Sequence, residues 1–300
     1  MIYEYALEPD LVATWGERNN YRFFIRQFEF GQGRLVSRYP KSWARRVWDK
    51  FETGTEIERK RLEELLQQLK QRMVKRKNFR WDGGNDYWIE NALLEHQRHH
   101  FYAILAQENP DNRRFIITDR KLDERNDLWD VPHGKTVNRK ATDMAKAVAG
   151  TLSCCKWARF IDPHISPGSP QYKKSLSAFL KLLWQERPVG PPVSVEIHTK
   201  RHNGTREFLL DSYRKILPAG MRVTLYQWKE KPGGAKLHNR YILTDLGGIS
   251  FYHGLDEGKD GETDDISRLD LKQYEKRCAQ YNRDTSAFDQ AEEPLELGGG

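Results

Sequence analysis

Lys236-Leu237-His238-Asn239-Arg240-Tyr241-Ile242-Leu243-Thr244-Asp245, followed by Gly247-Gly248-Ile249-Ser250-Phe251-Tyr252-His253-Gly254, reads as a β-hairpin that carries chemistry. His238, Arg240 and Ile242 alternate with Asn239, Tyr241 and Leu243. A period-two strand therefore puts the imidazole and the guanidinium on one face, and Asp245 follows at the strand's end. A nucleophile or base, a fixed cation and an acid are brought together. The set suits a phosphate ester, because arginine offers a planar fork of donors matched to phosphate oxygens, while histidine attacks phosphorus or moves a proton near neutral pH.

Working outward, Trp157 to Ile161 reads as a strand ending in Asp162-Pro163-His164. Tyr172 to Trp184 is helical by its apolar spacing and is stopped by Pro188 and Gly190. Val193 to His198 and Met221 to Tyr226 are strands, with a helix over Phe208 to Ile216 between them that ends at Pro218 and Gly220. Strand, helix, strand, helix, strand and hairpin is an α/β order, and a mostly parallel sheet with helices on its faces is the economical fold.

The quoted segments together resemble the phospholipase D superfamily, whose hallmark is His, any residue, Lys, four residues and Asp on a strand, followed by a Gly-rich strand. His238, Arg240 and Asp245 stand at those places with the full His-to-Asp spacing. Arg replaces the family's Lys, and the Gly-Ser-x-Asn that should follow is not intact, Gly254 and Asp256 lying near it out of register. The resemblance covers about half the chain. It implies a phospholipase D-like mixed sheet flanked by helices in residues 146–290, preceded by an N-terminal α+β domain in residues 1–145 that holds a substrate or partner.

For the site, the resemblance implies His238 as a nucleophile forming a phosphohistidine, Arg240 as the phosphate clamp, Asp245 as the orienting acid and a second histidine as general acid. His198, Lys200, Lys236 and Asp256 are the accompanying substrate-binding candidates. His198, His164 and His253, each taken singly, read as hydrogen-bonded imidazoles at strand ends. No divalent metal or other cofactor is implied. The family builds its site from two motif copies and this chain has one, so catalysis calls for a homodimer with two His238 strands facing across a twofold axis. The expected function is a metal-independent phosphodiesterase, a nuclease acting on DNA or RNA, in the setting of prokaryotic antiviral defence with its partner proteins. The alternative is an inactive module of the same family that binds nucleic acid, phospholipid phosphate or a partner protein.

Composition sets the outer bounds. With 50 Lys and Arg against 43 Asp and Glu, the net charge of +7 leans toward a polyanionic partner. Basic clusters at Ser37–Arg46, Lys70–Arg80 and Arg214–Lys236, the second flanked by Phe79 and Trp81, suit a nucleic-acid backbone. No apolar window of about 18 residues and no signal-peptide start is present, and Cys154, Cys155 and Cys278 fit a reducing compartment, so a cytoplasmic location is expected. His96 and His100 share a helical face at a spacing that can hold a metal, but no third ligand accompanies them. In the first 145 residues, Met1 to Ala13 and Tyr21 to Tyr39 read as strands by alternation. Helices are expected from Ser42, over Thr55 to Lys77, over Asn85 to His100 and over Ala141 to Leu152, with strands at Phe101–Leu105 and Phe115–Thr118.

Overall fold

A computed structural model describes residues 1–109, 111–122, 126–202 and 204–299. The chain divides into two compact units, Ile2–Pro132 with Pro188–Gly190, and Met1 with His133–Arg187 and Pro191–Gly300.

In the first unit, β1 (Tyr3–Leu7), β2 (Arg34–Ser37), β3 (Met73–Val74), β4 (Ala103–Ala106) and β5 (Ile116–Thr118) form a sheet in the order β3-β2-β1-β4-β5. Every pair in it is parallel, so this unit is α/β, not the α+β domain expected from the sequence. The cause is legible in the strands themselves: β2 and β4 are buried at every position. Strands covered on both faces carry no alternation.

The helices α1 (Pro9–Ala13), α2 (Arg18–Gln27), α3 (Trp43–Lys50), α4 (Glu56–Gln71) and α5 (Trp88–Arg98) connect them. The expected strand at Tyr21–Phe30 is instead α2. Tyr21, Phe24, Ile25 and Phe28 recur at the helical i, i+3, i+4, i+7 spacing, and the Phe24 ring stacks on Trp15 at 3.6 Å between centroids. Thr55 caps α4 in a reciprocal capping box with Glu58, as its position suggested, but the helix stops at Gln71 because Met73 and Val74 join the sheet edge as β3.

The Lys70–Arg80 cluster is only partly a surface feature. Arg72 and Arg76 are buried, and Arg76 binds Glu4 at 2.8 Å and Glu95 at 2.7 Å. Phe79 and Trp81 pack edge-on against the Tyr39 ring, so the aromatics beside this cluster serve the core.

The second unit begins earlier than residue 146, because β6 (Gly134–Asn138) pairs with β12 (Thr263–Arg268) and α6 (Ala141–Cys154) packs along α7 (Pro170–Trp184). Its other elements are β7 (Trp157–Ile161), β8 (Ser194–Lys200), α8 (Arg206–Arg214), β9 (Arg222–Lys229), β10 (Arg240–Thr244), β11 (Gly247–Phe251), α9 (Leu271–Gln280), β13 (Asp289–Gln290) and β14 (Leu295–Gly298). They build a nine-stranded mixed sheet in the order β13-β9-β8-β7-β10-β11-β12-β6, with β14 also on β9. The pairs β7–β8 and β8–β9 are parallel, whereas β10, β11, β12 and β6 continue the sheet antiparallel. Helix α7 buries Tyr172, Ser175, Leu176, Phe179, Leu180 and Leu183, one continuous face. Among the described residues no helix is long and apolar enough to cross a membrane.

Candidate functional site

Strand directions decide which residues share an edge of the second sheet. The parallel strands β7, β8 and β9 all finish on one side. β10 runs against β7 with Tyr241 opposite Ile161, so it starts on that side at Arg240. β11 returns against β10 with Phe251 opposite Arg240 and ends there as well. Asp162, Lys200, His238, Arg240 and the segment 253–256 therefore gather at one edge.

Asp245 does not. Five strand residues at about 3.3 Å each carry it roughly 16 Å to the opposite edge. There its Oδ1 accepts the Lys156 N–H at 2.7 Å and the Trp157 N–H at 3.5 Å. Asp245 anchors the start of β7 and is corrected from a site acid to a structural one.

At the shared edge, Asp162 is fully buried. Its Oδ1 accepts the His164 N–H at 2.9 Å, and its Oδ2 accepts the Leu255 N–H at 2.9 Å and the Tyr172 hydroxyl at 3.2 Å. Burial pushes its carboxyl above the usual range, against the opposing pull of these backbone donors and of the Arg240 charge. Gly254 permits this closure, since a Cβ there would lie 3.1 Å from Asp162 Oδ2 and 2.6 Å from Asp256 Oδ1.

Arg240 is half-buried, and its side chain forms no hydrogen bond or ion pair with the described residues. Its Nε is enclosed without a partner. Three other arginines of the unit are committed: Arg159 to Glu196 at 2.6 Å, Arg139 to Asp256 at 2.8 Å, Arg201 to Glu292 at 2.8 Å. His238 is exposed, lies two residues ahead of β10 and has no hydrogen-bond partner among the described residues. It leaves the strand because Glu230 ties off the preceding loop, accepting the Leu237 N–H at 2.9 Å and the Lys236 ammonium at 2.8 Å.

The remaining candidates divide. Lys200 is exposed at the end of β8, on the shared edge. Lys236 is exposed but paired with Glu230, and Asp256 is held by Arg139. His198 is corrected: only 1% exposed, its Nδ1 accepts the Trp228 indole N–H at 3.0 Å and its Nε2 donates to Glu196 at 3.0 Å. The ring stacks on Tyr226 at 4.9 Å, and desolvation holds it below the ordinary histidine range. It is a satisfied neutral core histidine. His96 likewise stacks on Phe115 at 4.0 Å and is held down at about 4 by burial, and no cluster able to hold a metal occurs among the described residues.

The sequence reading missed Asp162 and Tyr172 as site residues. The one available signal was an acid directly after a strand of buried apolar residues. No family model, curated protein or solved structure matches the chain.

Proposed function

We propose that this chain is a phospholipase D-like, metal-independent phosphodiesterase acting on a nucleic-acid backbone. The observation that supports it is a half-buried Arg240 guanidinium without a side-chain partner, electrostatically coupled to buried Asp162 and two residues from an exposed His238 on the same edge of the sheet. A guanidinium kept from the neighbouring carboxylates is ready to take an external anion, and its fork matches two non-bridging phosphate oxygens. His238 then attacks phosphorus, a P–N bond forms as the P–O bond to the leaving oxygen breaks, and water later releases the phosphoryl group from the imidazole. A net charge of +7 and the exposed Lys200 at the same edge favour a polyanion over a small ester.

The test is incubation of the full chain and His238→Ala with single- and double-stranded DNA and RNA, with and without chelator. Chelator-resistant cleavage that His238→Ala abolishes supports the proposal. Cleavage that survives His238→Ala refutes it. A binding module is the second reading, supported by the lack of any described side chain that orients His238; salt-sensitive binding without cleavage selects it.

A further inference from the structure

Resting on the reading of the chain as acting on a nucleic-acid backbone, a second binding place on the same edge of the sheet extends the site beyond one phosphate. A pocket of about 510 Å³ opens where β8 turns into α8, and Arg201, Gly204, Arg206, Gln227, Glu292 and Glu293 are among the residues that line it. The turn is tied to the sheet. Arg201 donates its backbone N–H to the Trp228 carbonyl at 3.3 Å, and His202 donates its own to Oε1 of buried Gln227 at 2.7 Å.

The cations of this pocket are open to exchange. Arg206, in the first turn of α8, is exposed, and its side chain forms no hydrogen bond or ion pair with the described residues. Arg201 meets Glu292 at 2.8 Å, but both side chains stand in solvent, 67% and 46% exposed, and an ion pair in water is held weakly. Glu292 and Glu293 belong to the loop 291–294 between β13 and β14, which runs along β9 and is fastened to it by the Ala291 N–H on the Gln227 carbonyl at 2.8 Å. The loop presents a carboxylate to Arg201 in the place of an outside anion.

An aromatic ring stands beside these cations. Phe208 is 50% exposed, and its ring lies against Gly204, where an added Cβ would meet Phe208 Cδ1 at 2.7 Å. The sheet order puts β8 two strands from β10, roughly 10 Å along the edge, a gap that a short run of single strand spans.

We infer that this pocket is a second nucleotide subsite, in which Arg201 and Arg206 take a backbone phosphate in exchange for Glu292 and Phe208 stacks an adjacent base, while the phosphate to be cleaved lies at Arg240. Cations with an interleaved aromatic ring hold single strands irrespective of sequence. The subsite favours a strand over a small ester, and Glu292 sets the threshold at which the polyanion enters.

The test is the anisotropy of a labelled single-stranded oligodeoxythymidylate titrated with the full chain, carrying His238→Ala so that the strand stays intact. Phe208→Ala is expected to weaken binding about 5- to 100-fold, the worth of one stacked base, and Phe208→Tyr to keep it. Arg201→Ala combined with Arg206→Ala should reduce the slope of log K against log salt by about 0.7, one single-strand phosphate. Glu292→Gln should tighten binding, and the gain should vanish when both arginines are gone. Unchanged affinity of Phe208→Ala, or an unchanged salt slope without the arginines, would overturn the subsite; beside a wild-type chain that cleaves, either result leaves the phosphodiesterase reading standing. A Glu292→Gln gain that persists without the arginines is a general effect of charge and would overturn the exchange. The expected binding responses from a chain whose wild type cleaves nothing would overturn the phosphodiesterase reading and leave the subsite in place. No binding of the strand would overturn both.

Discussion

Replacing His198 by phenylalanine separates its two readings, as a substrate contact and as a core residue. The phenyl ring keeps the stack on Tyr226, at 4.9 Å in the native pair, so little packing is lost. What is lost is the acceptor for the Trp228 indole N–H, a buried donor that then has no partner. Leaving such a group unsatisfied costs about 1–3 kcal/mol. Glu196 loses one bond but retains Arg159 at 2.6 Å, so its share is small, and a total near 2 kcal/mol is expected at pH 7. The deficit depends on pH with a definite sign. Burial keeps the folded imidazole below the ordinary histidine value, so as pH falls through about 6.5 the unfolded chain takes up the proton first and the native protein loses stability. His198→Phe has no such proton to bind, and its deficit should shrink as the pH is lowered. Denaturant unfolding followed by tryptophan fluorescence at pH 7 and pH 5 reads both quantities. Under the proposed function, cleavage per folded molecule should match wild type. Wild-type stability combined with lost activity would refute the core assignment and return His198 to the site.

Further predictions rest on other groups. Arg76→Met keeps the volume but leaves Glu4 and Glu95 buried without their shared cation; a loss of about 3–5 kcal/mol is expected in equilibrium unfolding. Asp245→Asn should lower stability through the Lys156 and Trp157 backbone bonds while cleavage continues, and a loss of turnover without a stability change would place Asp245 in the chemistry after all. Arg240→Ala should reduce kcat by roughly 10²- to 10³-fold, and Arg240→Lys should retain turnover because the charge stays in place. Gly254→Ala drives a methyl into Asp162 and Asp256 and should impair cleavage with a native far-UV circular dichroism spectrum.

The α/β order of the second unit was readable because α7 and the β7–β9 crossovers are long elements with unbroken apolar patterns. The hairpin was readable from its alternation and from the glycine-rich strand, beginning Gly247-Gly248, that returns after the Asp245-Leu246 turn. The first unit hid its parallel sheet: strands of two to five residues buried on both faces look like any short apolar run. In α2, aromatic residues satisfy a period of two and a period of 3.6 at once. Within the site, His238 and Arg240 could be associated because they are two residues apart. Asp245 was misplaced because spacing along a strand was read as nearness, when a strand carries its two ends to opposite edges. Asp162 lies 78 residues from Arg240 in sequence number, and only the sheet register brings it to the same edge.

The account depends on His238 bonding to phosphorus. Rapid alkaline quenching of the protein with a labelled oligonucleotide, followed by peptide mass spectrometry, should recover an acid-labile phosphoramidate on the peptide that contains His238, absent from His238→Ala. Cleavage at full rate with no adduct, or with the adduct on another residue, would contradict it.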